Sequence, residues 1–516
     1  MHKRIEHCIR DDRATVDRRG RGARSLRGLA LAACLAMAFA SGCFDRAANE
    51  PKASGRPLEG VQLKLAIVDD AGLVEAVNAV RGEWTAQSGA ELTVEPLARD
   101  ALAGAERLPA DAVIAPAAEL GPSAERGLIV PLPQQTSFQR DKVAGWGDLF
   151  DLLRTNEVVW GDKVCGIPFG SPVFVVYCRK DLLNRLGLSP PKDWREFERA
   201  AAALSERAAT SDSESKRAEW SGVVLPLAPG WAGLTLIARA APAAKGRSNY
   251  SSLFDVNTFE PLIAGPPFVE ALEEMAAAVK KNPEPSLRAD PHAARRAFWQ
   301  GRCGMAITWP SHAGSRDLPR ERAEGFVATI VPLPGNRRVY ETSRRRWLDR
   351  EPGDSGRVPL LSIAGRVGMV SAGTSQGEAA LQLLLWLADE QHSAAVGGAS
   401  SATTLSRRSQ IENPSAWVEP PLSEQTAKEY ADDLAKTFES PDCLSALPIP
   451  GREEYLSALD DAVRSAVRGD QPAIEALIVA AGRWRQISEQ LGVEEQKTAL
   501  RRSLGIEPFP AAASKR

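Results

Sequence analysis

Apolar and polar positions alternate from Val61 to Val68, with Leu63, Leu65 and Ile67 on one side, which predicts a strand. Past Asp69 and Asp70, the residues Leu73, Val77, Val80 and Trp84 recur at helical spacing. Further strands are predicted at 92–95, 112–115, 173–177, 223–227, 305–308, 327–331 and 367–370, with helical stretches at 193–207, 267–280, 291–300 and 376–392. Strands alternating with helices predict an α/β fold of parallel sheets covered on both faces. There are too many strands for one ordinary sheet, so two lobes are expected. The C-terminal stretch has no strand signal. Leu456, Leu459, Val463 and Val467 mark one helix; Asp470 and Pro472 punctuate; Ile474, Leu477, Ala481 and Trp484 mark another. Two polar insertions interrupt the pattern, at 205–220 and 335–358. The second carries Arg337, Arg338, Arg344, Arg345 and Arg346 and reads as a solvated loop or as an anion-recruiting one.

The 516 residues allow several domain equivalents of ~150 residues. With 44% hydrophobic and 25% charged residues, the chain is not globally disordered. The 64 basic and 66 acidic residues give no footprint for nucleic acid. The charge is unevenly placed. Residues 1–42 hold nine Lys/Arg against four Asp/Glu, then the apolar run Leu29 to Ala40 leads into Ser41-Gly42-Cys43. A basic region, a short apolar core and small residues describe an export signal over 1–42. Ala40-Ser41-Gly42-Cys43 resembles a bacterial lipobox, which implies acylation of Cys43, cleavage before it and a membrane anchor through lipid. Residues 43–60 are small, polar and Pro/Gly-punctuated and read as a tether. Cys165, Cys178, Cys303 and Cys443 fit no zinc spacing; in an exported protein they are either disulfide partners or buried thiols.

Gly373-Thr374-Ser375-Gln376-Gly377 fits the Gly-x-Ser-x-Gly pattern of serine hydrolases. The only later histidine, His392, falls at the far end of the next helix, out of reach of Ser375. Ser375 and Glu378 read instead as a capping box. There is no Gly-rich nucleotide loop and no His-Glu-x-x-His, so no catalytic residue, cofactor or metal is expected. Asp69-Asp70 ends a strand, where open α/β lobes bind ligands, and also suits a helix N-cap. Asp460-Asp461 reads as a solvated helix pair. Among twelve Trp, Trp231 and Trp309 follow strand ends and are candidates either for stacking on a ligand or for packing.

Several segments, in order, resemble one family: Gly161 to Pro168, Val175 to Leu183, Leu186 to Phe197, Asp111 to Leu132, Phe298 to Met305, Val331 to Gly335 and Leu447 to Pro450. The family is the bacterial extracellular solute-binding proteins (family 1) of ABC importers, which includes maltodextrin-binding proteins. The chain departs from its pattern at Ala115 to Ala118, Pro172, Cys178, Asp193 and the Arg-rich insertion. The resemblance implies a two-lobed, class II-like periplasmic-binding-protein fold with a hinge and C-terminal helices. Lobe one would comprise 61–165 and 366–445, lobe two 166–365 and 446–500, with 501–516 as a tail. It places ligand contacts at Asp69, Asp70, Ser171, Trp231, Trp309, Ser311 and Tyr455. It further implies an exported, envelope-anchored monomer that takes a small solute, a carbohydrate, to an importer permease. An envelope sensor of the same fold, signalling to a membrane partner, is the alternative.

Overall fold

The alternating N-terminal pattern forms the first of thirteen strands named here among the described residues. The structure is a computed structural model that describes residues 56–133, 145–207, 220–246, 249–319 and 325–510. The export signal, Cys43 and most of the tether lie outside them. In chain order the first half carries β1 (Gln62–Val68), α1 (Ala71–Ser88), β2 (Glu91–Leu97), β3 (Ala112–Pro116), β4 (Ile167–Gly170), β5 (Val175–Arg179) and α2 (Trp194–Arg207). It continues with β6 (Ser221–Val224), α3 (Ala232–Ala244), α4 (Pro266–Val279), α5 (Pro291–Trp299) and β7 (Cys303–Thr308). The second half adds β8 (Ala328–Pro332), β9 (Arg338–Glu341), β10 (Arg346–Asp349), β11 (Leu360–Leu361), β12 (Arg366–Val370) and α6 (Gly377–Leu387). After it come α7 (Glu424–Phe438), β13 (Leu444–Ser445), α8 (Arg452–Arg468), α9 (Ala473–Leu491) and α10 (Val493–Ser503).

Two sheets organise these elements. The first runs β2-β1-β3-β12-β4 and the second β8-β5-β7-β6. In the first, β1 is parallel to β2 and β3, with Leu65 opposite Ala112. Strand β12 is antiparallel to both β3 and β4. In the second sheet only β6 and β7 are parallel; β5 is antiparallel to β7 and β8. The expectation of parallel sheets is therefore corrected to mixed ones. The physical reason is the connectivity: the chain leaves the first sheet at the end of β4 and returns beside it along β12 from that same end, so β12 runs against both its neighbours. Burial on both faces explains the apolar strands, since all five residues of β3 and of β12 are buried.

Strand pairing marks where the chain passes from one sheet to the other. Ile167–Gly170 pairs with β12, so β4 stays in the first sheet as an edge strand, where Pro168 is tolerated. Crossing happens after Gly170. Helix α7 packs on β8, and Tyr430 and Leu434 share an apolar cluster with Tyr177 of the second sheet and Phe298 of α5. The stretch 424–438 therefore packs against the second sheet.

Around the second sheet, α2 covers β6 and α5 covers β7. Helix α3 is buried along its whole length, which is why no amphipathic period marked it. Its Arg239 stacks on Trp194 at 3.7 Å and pairs with Glu198 at 2.8 Å. Helices α8 and α9 form the predicted pair, and α10 extends past them into the expected tail. Their core is aromatic: Trp484 stacks on Phe254 at 4.9 Å and meets Tyr455 at 5.4 Å. The Arg-rich insertion contains the hairpin β9–β10, and Arg337, Arg338, Arg344 and Arg346 pair with carboxylates. Arg337 reaches Asp193 at 2.7 Å and Arg338 reaches Glu270 at 3.2 Å. Arg344 and Arg346 share Glu341. All four expected cysteines are free thiols, and burial pushes Cys165 up to about 12 and Cys443 up to about 11. Trp484→Ala should cost about 3–5 kcal/mol of stability, the range for truncating a large buried aromatic, measured by the shift in urea midpoint.

Candidate functional site

The C-terminal ends of β1 and β7 meet through a short polar segment, Ser400–Ser401. Ser400 Oγ donates to Asp70 at 2.5 Å, and Trp309 Nε1 donates to the Ser401 carbonyl at 3.0 Å. This joins the first-sheet carboxylates to the second-sheet aromatics. Trp309 and Trp231 have ring centroids 5.6 Å apart, and Phe174 packs on both, at 6.0 and 6.3 Å. Phe174 escaped the sequence reading because it lies inside an apolar run, where nothing separates a cleft residue from a core one.

Asp69 and Asp70 divide their roles. Asp70 accepts from the Leu73 amide at 3.1 Å, capping α1, and pairs with Arg366 at 2.9 Å, both side chains almost wholly buried. Arg366 also donates to the Asp69 carbonyl at 3.2 Å and lies on β12, opposite Pro116. Burial lowers the Arg366 pKa and Asp70 opposes that. Asp69, in contrast, holds a left-handed backbone (φ 47°) and keeps its carboxylate half exposed, 3.9 Å from Arg99. Arg99 also reaches Glu453 at 3.4 Å, so β2's following turn touches the start of α8. Glu119 lies in the same charged patch. Its pKa is raised by burial and pulled back by Arg99 and Arg452.

Two supports hold the aromatics. Asp460, expected to be solvated, is buried and accepts from the amides of Gly230 and Gly233, the latter at 2.6 Å. It fixes the turn that presents Trp231 at the start of α3. Its partner Asp461 is exposed and pairs with Arg483 at 2.8 Å. Behind Trp309, Arg295 donates to the Trp309 carbonyl at 2.7 Å and pairs with buried Glu419 at 3.2 Å. Tyr177 donates to the same carboxylate at 3.0 Å.

Trp309 is itself only 1 % exposed, and the other sequence candidates also lie inside the protein. Ser171 is buried and donates to Glu157 at 2.5 Å. Ser311 accepts from the Gly314 amide at 3.0 Å. Tyr455 is fully buried between α8 and α9, bonded to Ser488 at 2.9 Å. Sequence order carried these three to the site, whereas their side chains turn inward. Ser375 is exposed and does not cap α6; Thr374 does the local bonding, accepting from the Gln376 amide at 2.9 Å and donating to Asp111 at 2.5 Å. The expected capping box is thus replaced by a threonine turn one residue earlier. His392 is bonded to Asp389 at 2.8 Å and stacks on Trp386 at 3.9 Å. Among the described residues no group of His, Cys, Asp and Glu is placed to hold a metal ion.

Two mixed sheets joined by crossing segments, with aromatic and acidic strand ends meeting between them, define a two-lobed solute-binding fold. The family of bacterial extracellular solute-binding proteins matches residues 77–393, more than half of the chain, and the protein belongs to that family. Solved structures agree on the fold. An ABC transporter solute-binding protein from Agrobacterium radiobacter K84, in complex with ribitol, is 19% identical with a TM-score of 0.61, covering 84% of this chain and 100% of that one. One from Agrobacterium vitis S4 with bound D-mannitol is 20% identical with a TM-score of 0.57, covering 84% and 99%. The sugar-binding protein MalE of Xanthomonas citri is 16% identical with a TM-score of 0.61, covering 84% and 100%. No curated protein sequence matches the chain. Among the described residues no helix is long and apolar enough to cross a membrane.

Two expectations follow. Arg366→Met leaves the buried Asp70 carboxylate without its cation and should cost about 3–5 kcal/mol, read by chemical denaturation; adding Asp70→Asn should restore part of it. Glu157 has no cation beside it among the described residues, only Ser171 and Ser362, and burial raises its pKa from 4.5 to about 7. The folded state therefore holds this proton more tightly than the unfolded one. Its contribution is full below about pH 4.5, is lost as pH rises through about 7, and is flat above. Glu157→Gln should abolish a fall on the order of 3 kcal/mol across that window, visible as a difference between wild-type and variant melting curves taken pH by pH.

Proposed function

We propose that the protein captures a small polyhydroxylated solute, a carbohydrate or a polyol, where the two lobes meet, and delivers it to the permease of an ABC importer without chemical change. The observation that carries this reading is the Trp231–Trp309 pair, 5.6 Å between ring centroids, at the ends of the second sheet and tied to the end of β1. An aromatic face suits the C–H face of a sugar, and a half-exposed carboxylate such as Asp69 accepts from its hydroxyls. Ribitol and D-mannitol, named with two of the similar structures, are of this chemical class. Trp231, partly buried, and Asp69 are the contacts assigned to the solute; Arg99, Glu119 and Glu453 border them. Asp70 and Trp309 shape the site from behind.

On this reading residues 1–42 are removed, acylated Cys43 anchors the chain at the outer face of the membrane, and 44–60 tether it. The solute is held by closure of one lobe on the other about the crossings near Gly170–Val175 and Arg366, and the closed form engages the importer. His392 is held by Asp389 and Trp386 while Ser375 is exposed and caps nothing, so the Gly-x-Ser-x-Gly motif lends no support to a catalytic reading.

A thermal-shift screen against monosaccharides, oligosaccharides, polyols, amino acids and phosphorylated compounds tests it. A ligand at a hundredfold excess over Kd adds about 2.7 kcal/mol, a rise of a few degrees. One sugar or polyol class should give that rise, and Trp231→Ala should remove it while leaving the unliganded melting temperature nearly unchanged. A flat response to every polyhydroxylated compound, or a rise with amino acids alone, sinks the assignment.

A further inference from the structure

Next to the aromatic cluster, sharing Phe174 with it, is a separate cavity of about 400 Å³, enough for a small organic ligand. It lies between β5, β8, the segment leading into β11, and α7. Val175, Ile330, Val358, Leu360 and Leu434 make its apolar walls. None of Asp69, Asp70, Trp231 or Trp309 lines it.

The charges on its border are mostly committed. Asp433 pairs with Lys436 at 3.5 Å, and Glu439 pairs with Arg408 at 3.3 Å. The Tyr430 hydroxyl is bonded to Thr404 at 2.7 Å. Arg357 is different. Its guanidinium has no ion pair among the described residues, and its Nε is buried with no hydrogen-bond partner. A buried donor left unpaired is costly, and an arginine fork is matched in shape by a carboxylate. An apolar chamber with one uncommitted guanidinium in its wall therefore has the complementarity of an amphipathic anion.

The geometry points to a second ligand site, separate from the inter-lobe cleft, that binds a small monocarboxylate with an aliphatic or aromatic body. The carboxylate lies on Arg357 and the apolar body on Val175, Ile330 and Leu434. Phe174 lines this cavity and also packs on Trp231 and Trp309, so it is the wall shared with the cleft aromatics. The site stands on its own residues and does not depend on which solute the cleft takes.

Calorimetric titration of the full chain with octanoate and with octan-1-ol tests this directly. Octanoate should bind saturably at one site, about tenfold more tightly than the alcohol, the scale of one charge-assisted contact. Arg357→Gln should erase that difference. Thr437→Trp, at a half-buried position of the cavity border on α7, should abolish binding of both by filling the space. Arg357 is partly exposed and its loss leaves the core intact, so that variant decides the matter even if Thr437→Trp fails to fold. No saturable octanoate binding, equal affinity for acid and alcohol, or undiminished binding in Arg357→Gln overturns the proposal. Undiminished binding in a folded Thr437→Trp places the octanoate elsewhere and overturns it as well.

Discussion

Asp70 carries three obligations at once, and the organisation of the first lobe's working edge depends on them. Its carboxylate caps α1 through the Leu73 amide, neutralises Arg366, and accepts from Ser400. Arg366 in turn donates to the Asp69 and Gly365 carbonyls. A guanidinium on β12 would be costly to bury alone, and the carboxylate at the end of β1 would be too. Together they fix the ends of β1 and β12 relative to each other, with β3 between them. They also hold Asp69 in its left-handed conformation, which turns its own carboxylate outward.

The second lobe repeats the device with different residues. Glu419, Arg295 and Tyr177 form a buried polar knot that ties the loop before α7 to α5 and β5. Arg295 also donates through Nη1 to the Trp309 carbonyl and through Nη2 to His292. Asp460 spends its two oxygens on the amides that open α3, just at Trp231. Each aromatic of the pair is therefore held by a buried charge whose other partners are structural. Such placement limits rotation of the rings.

Segment 397–406 deserves its small residues for the same reason. Added Cβ atoms at Gly397 or Gly170 would meet backbone oxygens of Phe169 and Thr404 at 2.8 and 2.3 Å, so two crossing strands of chain run in direct contact there. Glu157 sits close by, bonded to Ser171 and Ser362. Here a buried carboxylate and the crossing segments converge. Phe174, immediately after the crossing at Ser171, then connects the cleft aromatics with the second cavity.

Much of the architecture was legible in the chain itself. Period-2 alternation located β1, helical spacing located α1, α8 and α9, and the ordered segments from Gly161 to Pro450 pointed to the family. These signals are local, set by which face of an element is buried. The positions of Trp231 and Trp309 beyond strand ends were legible too. Three things were not. Strand direction in the two sheets depends on how often the chain crosses between lobes. The roles of Asp460, Ser171 and Tyr455 depend on which way a side chain turns once helices pack. The uncommitted state of Arg357, among so many paired arginines, depends on distances between residues far apart in sequence. A sequence specifies the burial period of each element by itself; the partner of a buried charge is chosen only when distant elements close around it, because its cost is set by what the fold brings within reach.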